Sequence, residues 1–349
     1  MSFDNLTREE ILGWLREETA ERLEELFKAA DKVRRERVGD EVHLRGLVEV
    51  SNICRRQCGY CGIRAGNAAI ERYRMTADEV LDCASRAIKL KYGTVVMQAG
   101  EDPGIEAEWM ADLIRRIKAT TPLAVTLSLG ERSDDELRLW RDAGADRYLL
   151  RFETSDRALF DLIHPPAPGQ VRSDRIAQLR VLRSLGYQPG SGVMIGIPGQ
   201  SYESLADDLL LFRELDLDMI GVGPFIEHPA TPLGSGAAKL APGVQVPNTE
   251  AMTYKVVSLA RLVRPDANIP STTALATLNK TTGRELGLSR GANIVMPNLT
   301  PVRYRAKYEI YPGKACINET AEACAGCLER RIRSMGRKVG VGQGSRQKA

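Results

Sequence analysis

Eight short apolar segments rich in β-formers recur along the chain, at about 43–51, 93–100, 123–130, 146–153, 191–197, 217–225, 267–271 and 291–297. A helix-patterned stretch separates each from the next. Such alternation leads to a parallel sheet, because every helix returns the chain to start the next strand in the same direction. Eight units in a 349-residue chain suit a complete (β/α)8 TIM barrel, with an open doubly wound sheet as the rival. The expected division is an N-terminal helical extension over 1–42, the barrel over 43–300, and a C-terminal extension over 301–349.

The extension should be one helix over 7–37. Thr7 and Glu10 form a capping box, and Ile11, Leu15, Leu23, Leu26, Phe27, Ala30 and Val33 recur near helical spacing. A second capping box, Thr76 with Glu79, opens the helix after the first strand. The Pro-, Gly- and Ala-rich stretch 229–249 reads as a long surface loop. The tail "KVGVGQGSRQKA", from 338, reads as a frayed terminus.

Apolar residues make up 43% and charged ones 27%, which is ordinary for a globular chain. With 49 Lys and Arg against 46 Asp and Glu, no nucleic-acid or anionic-membrane partner is implied. No apolar run approaches the ~18 residues a spanning helix needs, and the start is acidic and amphipathic, unlike a secretory signal. A cytoplasmic, monomeric protein is the expectation.

Polar groups cluster just after the carboxyl ends of the strands, which in a barrel share one face. Six of the seven cysteines fall in two groups of three: Cys54, Cys58 and Cys61, and Cys316, Cys324 and Cys327. Disulfides are unexpected in a reducing compartment, so metal or cluster binding is the better reading. Cys83, on a predicted helix, reads as a small core residue. The first group is spaced C-x3-C-x2-C. Three thiolates on one loop can hold three irons of a 4Fe–4S cluster and leave the fourth open for a small chelating molecule. Zinc would need a fourth donor, and His43, His164 and His228 are the only histidines, none beside the triad.

This motif, with Tyr60 before its third cysteine, resembles the radical S-adenosylmethionine (radical SAM) superfamily. Longer strings, among them "SNICRRQCGYCGIR", "QAGEDP", "VTLSLGE", "DMIGVGPFIEHPATPL", "IPSTTA" and "YPGKAC", are similar to the HydE family of FeFe-hydrogenase maturases across nearly the whole chain. Biotin synthase and methylornithine synthase are more distantly similar. The resemblance implies that Cys54, Cys58 and Cys61 ligate the cluster. It implies that SAM chelates the open iron, and that one electron splits SAM into methionine and a 5′-deoxyadenosyl radical. Tyr60, Gly100, Glu101, Thr126, Ser128, Arg147, Glu153, Gly196 and Met219 match SAM-contact positions. Arg45, Arg151, Thr272, Thr273, Ala274, Tyr308 and Tyr311 match substrate-cavity positions. Cys316, Cys324 and Cys327 match an accessory cluster site of some relatives.

Arg147, Arg151 and Glu153 alternate along one predicted strand and so share a face. Inward arginines need anionic partners, from ligand or from one another as a salt bridge. Phe152 stands where family sequences carry His, and by alternation faces away from Arg151 and Glu153. The implied partners are a small iron–cysteine substrate, a ferredoxin- or flavodoxin-type one-electron reductant, and sister hydrogenase maturases. Two classes remain open: a radical SAM enzyme, acting on that substrate or on another amino-acid-derived small molecule, and a non-catalytic iron–sulfur carrier. A carrier needs no SAM pocket.

Overall fold

The computed structural model describes residues 3, 5–166, 172–236, 239–241 and 243–347. Its strands are β1 (Glu41–Ser51), β2 (Thr94–Ala99), β3 (Ala124–Ser128), β4 (Arg147–Leu149), β5 (Gln188–Ser191), β6 (Met194–Ile195), β7 (Met219–Ile220), β8 (Gly223–Pro224), β9 (Ile294–Val295) and β10 (Lys338–Val339). Parallel pairing runs in the order β10–β1–β2–β3–β4–β5–β7, with β9 also on β1 and a separate β6–β8 pair.

The complete barrel of eight equivalent strands is therefore corrected to a curled parallel sheet, a half-barrel in its regular ladder. Between β7 and β9 only single-residue bridges occur, Met219 to Asn268 and Pro270 to Ile294. The strand expected at 267–271 does not form as a ladder. Pro270 has no N–H to give it, and the Asn293 and Asn268 side chains hydrogen-bond each other at 2.9 Å there.

The pleat decides what faces the interior. Along β1, Val42, Leu44, Val48 and Val50 point into the main apolar core beneath the helices, while Arg45, Leu47 and Glu49 face the central cavity. The core cluster runs continuously from Leu6 to Ile332.

Both expected capping boxes form, at Thr7/Glu10 and Thr76/Glu79. The single helix expected over 7–37 is two helices, Arg8–Arg16 and Ala20–Val38. Glu17 breaks it: its Oε1 accepts from the backbone N–H of Glu18 at 3.0 Å and Thr19 at 2.9 Å, offering the chain a turn instead of a helical bond. The break lets the first helix pair with Glu203 and Asp207 on helix Tyr202–Glu214. Lys255, on helix Glu250–Val263, donates to the Leu15 carbonyl. In the loop 229–249, Pro232–Ser235 forms a 3-10 turn, and residues 237, 238 and 242 lie outside the described residues.

The tail departs most from expectation. It is not frayed. β10 pairs with the start of β1, and residues 343–346 then run beneath the sheet. No helix among the described residues is long and apolar enough to cross a membrane.

Candidate active site

At the carboxyl ends of the strands lies a cavity of about 340 Å³. Cys54, Cys58 and Cys61 line it from the loop that leaves β1. Gly100, just after β2, lets that loop come close: a Cβ there would stand 2.3 Å from the Ile53 carbonyl oxygen and 2.8 Å from Cys54 Cβ. The backbone N–H groups of Arg56 and Glu101 each donate to Cys54 Sγ at 3.4 Å. Burial raises all three thiols, Cys58 to about 12, and at Cys61 the two neighbouring thiols add to it. Three thiolates side by side in such a wall need positive charge among them. That is the demand an iron–sulfur cluster satisfies, so the residues fit the group. Among the described residues no three His, Cys, Asp or Glu side chains converge on a single metal ion; a cubane spreads its thiolates further apart than one ion does.

Charges alternate around this loop. Glu101 Oε1 accepts from Nε of Arg55 and of Arg56, each at 2.7 Å, and Oε2 from the Glu131 N–H at 3.0 Å. Glu131 in turn pairs with Arg56 at 3.1 Å and Arg175 at 3.0 Å. Tyr60 Oη lies 2.9 Å from His164 Nε2 and donates weakly to Glu153 at 3.5 Å. Burial, with Arg175 and Arg56 nearby, keeps His164 neutral.

Arg151 and Glu153 form an ion pair at 3.1 Å, so the salt-bridge reading holds for these two. Glu153 takes φ +62°, a region costly to a side-chain-bearing residue, which turns its carboxylate toward Tyr60 and the cavity. On the far wall, Thr272 caps helix Thr273–Leu278. Tyr308 Oη accepts from Gln98 at 3.2 Å. Arg45 donates to Met219 Sδ at 2.9 Å.

The structure thus brings sixteen expected positions to one cavity: Cys54, Cys58, Cys61, Tyr60, Gly100, Glu101, Ser128, Glu153, Met219, Arg45, Arg151, Thr272, Thr273, Ala274, Tyr308 and Tyr311. Three do not reach it. Thr126 is buried within β3 with no hydrogen-bond partner for its hydroxyl. Gly196 packs on Asn248, whose Cα would lie 2.4 Å from an added Cβ. Arg147 shares a face with Arg151 but lies at the opposite end of the sheet. Alternation fixes the face, whereas height changes by ~3.3 Å per residue. Phe152 is buried against Phe212, ring centroids 5.8 Å apart, and does not line the cavity.

Sequence reasoning missed the buried ion pair of Glu49 with Lys314, both in the cavity wall. Glu49 had a signal, its period-two relation to Arg45; Lys314 falls inside the string "YPGKAC", but nothing there pairs it with Glu49. Cys316, Cys324 and Cys327 lie outside the cavity. Cys324 and Cys327 are one turn apart on helix Ala321–Ser334. A hydrogen bond from Cys324, helped by Arg284, favours the Cys316 thiolate.

A parallel half-barrel whose first strand ends in a three-thiol loop facing a cavity at the strands' carboxyl ends defines a radical SAM protein, and the superfamily's model matches residues 48–212. The FeFe-hydrogenase maturase subunit HydE of Thermotoga maritima is 44% identical over 325 residues, 93% of this chain and 89% of that protein. A 3-methylornithine synthase of Methanosarcina acetivorans is 27% identical over 83% of this chain and 79% of that protein. The crystal structure of a methylornithine synthase matches with a TM-score of 0.79 at 26% identity, covering 96% of this chain and 94% of that one. HydG, another FeFe-hydrogenase maturase, shares the fold at a TM-score of 0.76 and 20% identity, over 95% of this chain and 72% of that one. The chain belongs to the HydE family of radical SAM enzymes.

Proposed function

We propose that the chain cleaves SAM reductively in the cavity beside Cys54, Cys58 and Cys61, as a step in building the FeFe-hydrogenase active site from a small iron–cysteine substrate. The single observation that carries this reading is the convergence of the three-thiol loop with Glu101, Glu153, Arg151 and Met219 on one cavity. A bound cluster would supply the electron that breaks SAM's sulfonium bond. The protein's part is positioning and exclusion of water.

Cys54, Cys58 and Cys61 would hold three irons. Glu101 suits the SAM ammonium, which would share its carboxylate with Arg55 and Arg56. Arg45 and Arg151 offer cations to substrate carboxylate or cyanide groups, and the Glu49–Lys314 pair presents both signs of charge to an amino-acid-like substrate. The likeness to methylornithine synthase favours one second reading, a different amino-acid-derived substrate in the same cavity. The electron would come from a ferredoxin- or flavodoxin-type donor, and the product would pass to sister maturases. Cys316, Cys324 and Cys327 would hold an accessory iron–sulfur cluster.

The test is anaerobic reconstitution with iron and sulfide, then SAM and dithionite, with 5′-deoxyadenosine as the readout. Release of 5′-deoxyadenosine is expected. Reconstituted, iron-loaded protein that releases none returns the chain to the carrier class.

A further inference from the structure

The polar end of the tail is held by hydrogen bonds from side chains at the base of the sheet. The Gln343 carbonyl accepts from Thr94 Oγ1 and Arg147 Nη2, each at 3.0 Å, and Ser345 Oγ from Arg147 Nη2 at 2.8 Å. The Gly344 carbonyl accepts from Arg45 Nη2 at 3.0 Å and Asn268 Nδ2 at 3.1 Å. Arg45 and Asn268 both line the reaction cavity from its lower side. Below the tail lies a second hollow of about 450 Å³, and Asn268 borders this one too. The tail lines the second hollow and packs from that side against Arg45 and Asn268, which line the first.

The glycine pattern exists for this contact. A Cβ on Gly93 would lie 1.7 Å from the Gly342 oxygen, and one on Gly340 2.5 Å from the His43 ring. No bulkier backbone could approach so closely.

Arg346 fastens the segment's end. Its guanidinium meets Asp266 at 2.8 Å, Asp216 at 3.0 Å and Asp218 at 3.1 Å, and its side chain is 5% exposed. Arg45 and Arg147 are buried and neither makes a direct ion pair among the described residues; Arg147 disfavours the charge on Arg45, whose Nε has no hydrogen-bond partner, while the more distant Asp146 and Asp218 favour the charge on Arg147. The tail's carbonyl oxygens supply the partial negative charge that holds two guanidinium groups in place.

We infer that residues 343–346 form the layer directly beneath the floor of the reaction cavity: they position Arg45 and Arg147 and close the amino-terminal end of the sheet against water, with Arg346 as the latch. Arg346 touches neither the cavity nor the cysteine loop, so it is a positioning residue. The word "reaction" rests on the function proposed above; the layer itself does not.

The test compares the reconstituted wild-type protein with Arg346→Ala, Arg346→Lys and a chain ending at Gly340. Each is treated with phenylglyoxal, and modified arginines are read by peptide mass spectrometry. Arg261, fully buried and held by the Gly291 carbonyl and Asn293, serves as an internal control. Arg45 and Arg147 are expected to react roughly tenfold faster in Arg346→Ala and in the shortened chain, through local opening, with Arg261 unmodified. Arg346→Lys should retain most of the protection. Arg45 and Arg147 protected in every variant would overturn the inference. So would Arg261 reacting in step with them, since the tail would then support the whole fold and not this layer. Failure of 5′-deoxyadenosine release in the wild type strikes the proposed function alone.

Discussion

Glu49 leaves β1 with its carboxylate in contact with Lys314, and both side chains are nearly closed to water, at 1% and 6% exposure. Asn298 Nδ2 donates to the other carboxylate oxygen at 3.0 Å. Removing one partner of such a pair strands a buried charge, at a cost of about 3–5 kcal/mol, whereas replacing both can be close to neutral. Lys314→Met should therefore lower the denaturation midpoint of the protein sharply, and Glu49→Gln with Lys314→Met should recover most of the loss. Additive losses in that double-mutant cycle would show that the two residues do not act as a pair. The same residues bound what the sequence could tell. The strand's two-residue period put Glu49 on the face of Arg45. Lys314 arrives from 265 positions away in sequence, and no local pattern pairs it with Glu49. Glu101 was legible as a strand-end carboxylate, but its two arginine partners lie in the cysteine loop and became visible only in the fold.

Helix Tyr202–Glu214 is held to the loop after β4 by Asp208, whose Oδ1 accepts from Ser155 Oγ at 2.6 Å. Burial raises this carboxyl from 3.8 to about 7, against the lowering effect of the Ser155 and Thr154 hydrogen bonds. Between those values the folded chain holds a proton that the unfolded chain has released. Asp208 thus contributes stability that is fully present below 3.8 and lost as pH rises through about 7. Melting temperature followed over roughly pH 5 to 8 should fall more steeply for the wild type than for Asp208→Asn. Identical slopes would remove Asp208 from the account. Elements were legible where their signals are local. Thr7/Glu10 and Thr76/Glu79 cap helices because a capping box closes on itself within four residues. The split at Glu17 was hidden because apolar spacing continued across it, and the side chain that ended the first helix looked like one more helical acid.

Across the whole molecule the two cysteine groups occupy different places, one in the wall of the cavity and one outside it, with Cys324 and Cys327 on helix Ala321–Ser334 and Cys316 in the turn before it. Changing Cys54, Cys58 or Cys61 to Ala should reduce SAM cleavage to background in the 5′-deoxyadenosine assay. Cys316→Ala should leave much of it while removing iron in excess of one cluster. Equal losses from both would mean that the two sites act as one. By itself the sequence determined the parallel α/β class, the thiol loop at the end of the first strand, and the face shared by Arg151 and Glu153. These follow from short-range rules: period two, caps, and the spacing of three cysteines. Only the tertiary structure decided how the sheet curls and where its ladder thins. It also set Arg147 at the opposite end from Arg151, and carried the glycine-rich tail beneath the floor of the cavity. Those outcomes depend on height along the strands and on contacts between residues hundreds of positions apart, and a linear pattern records neither.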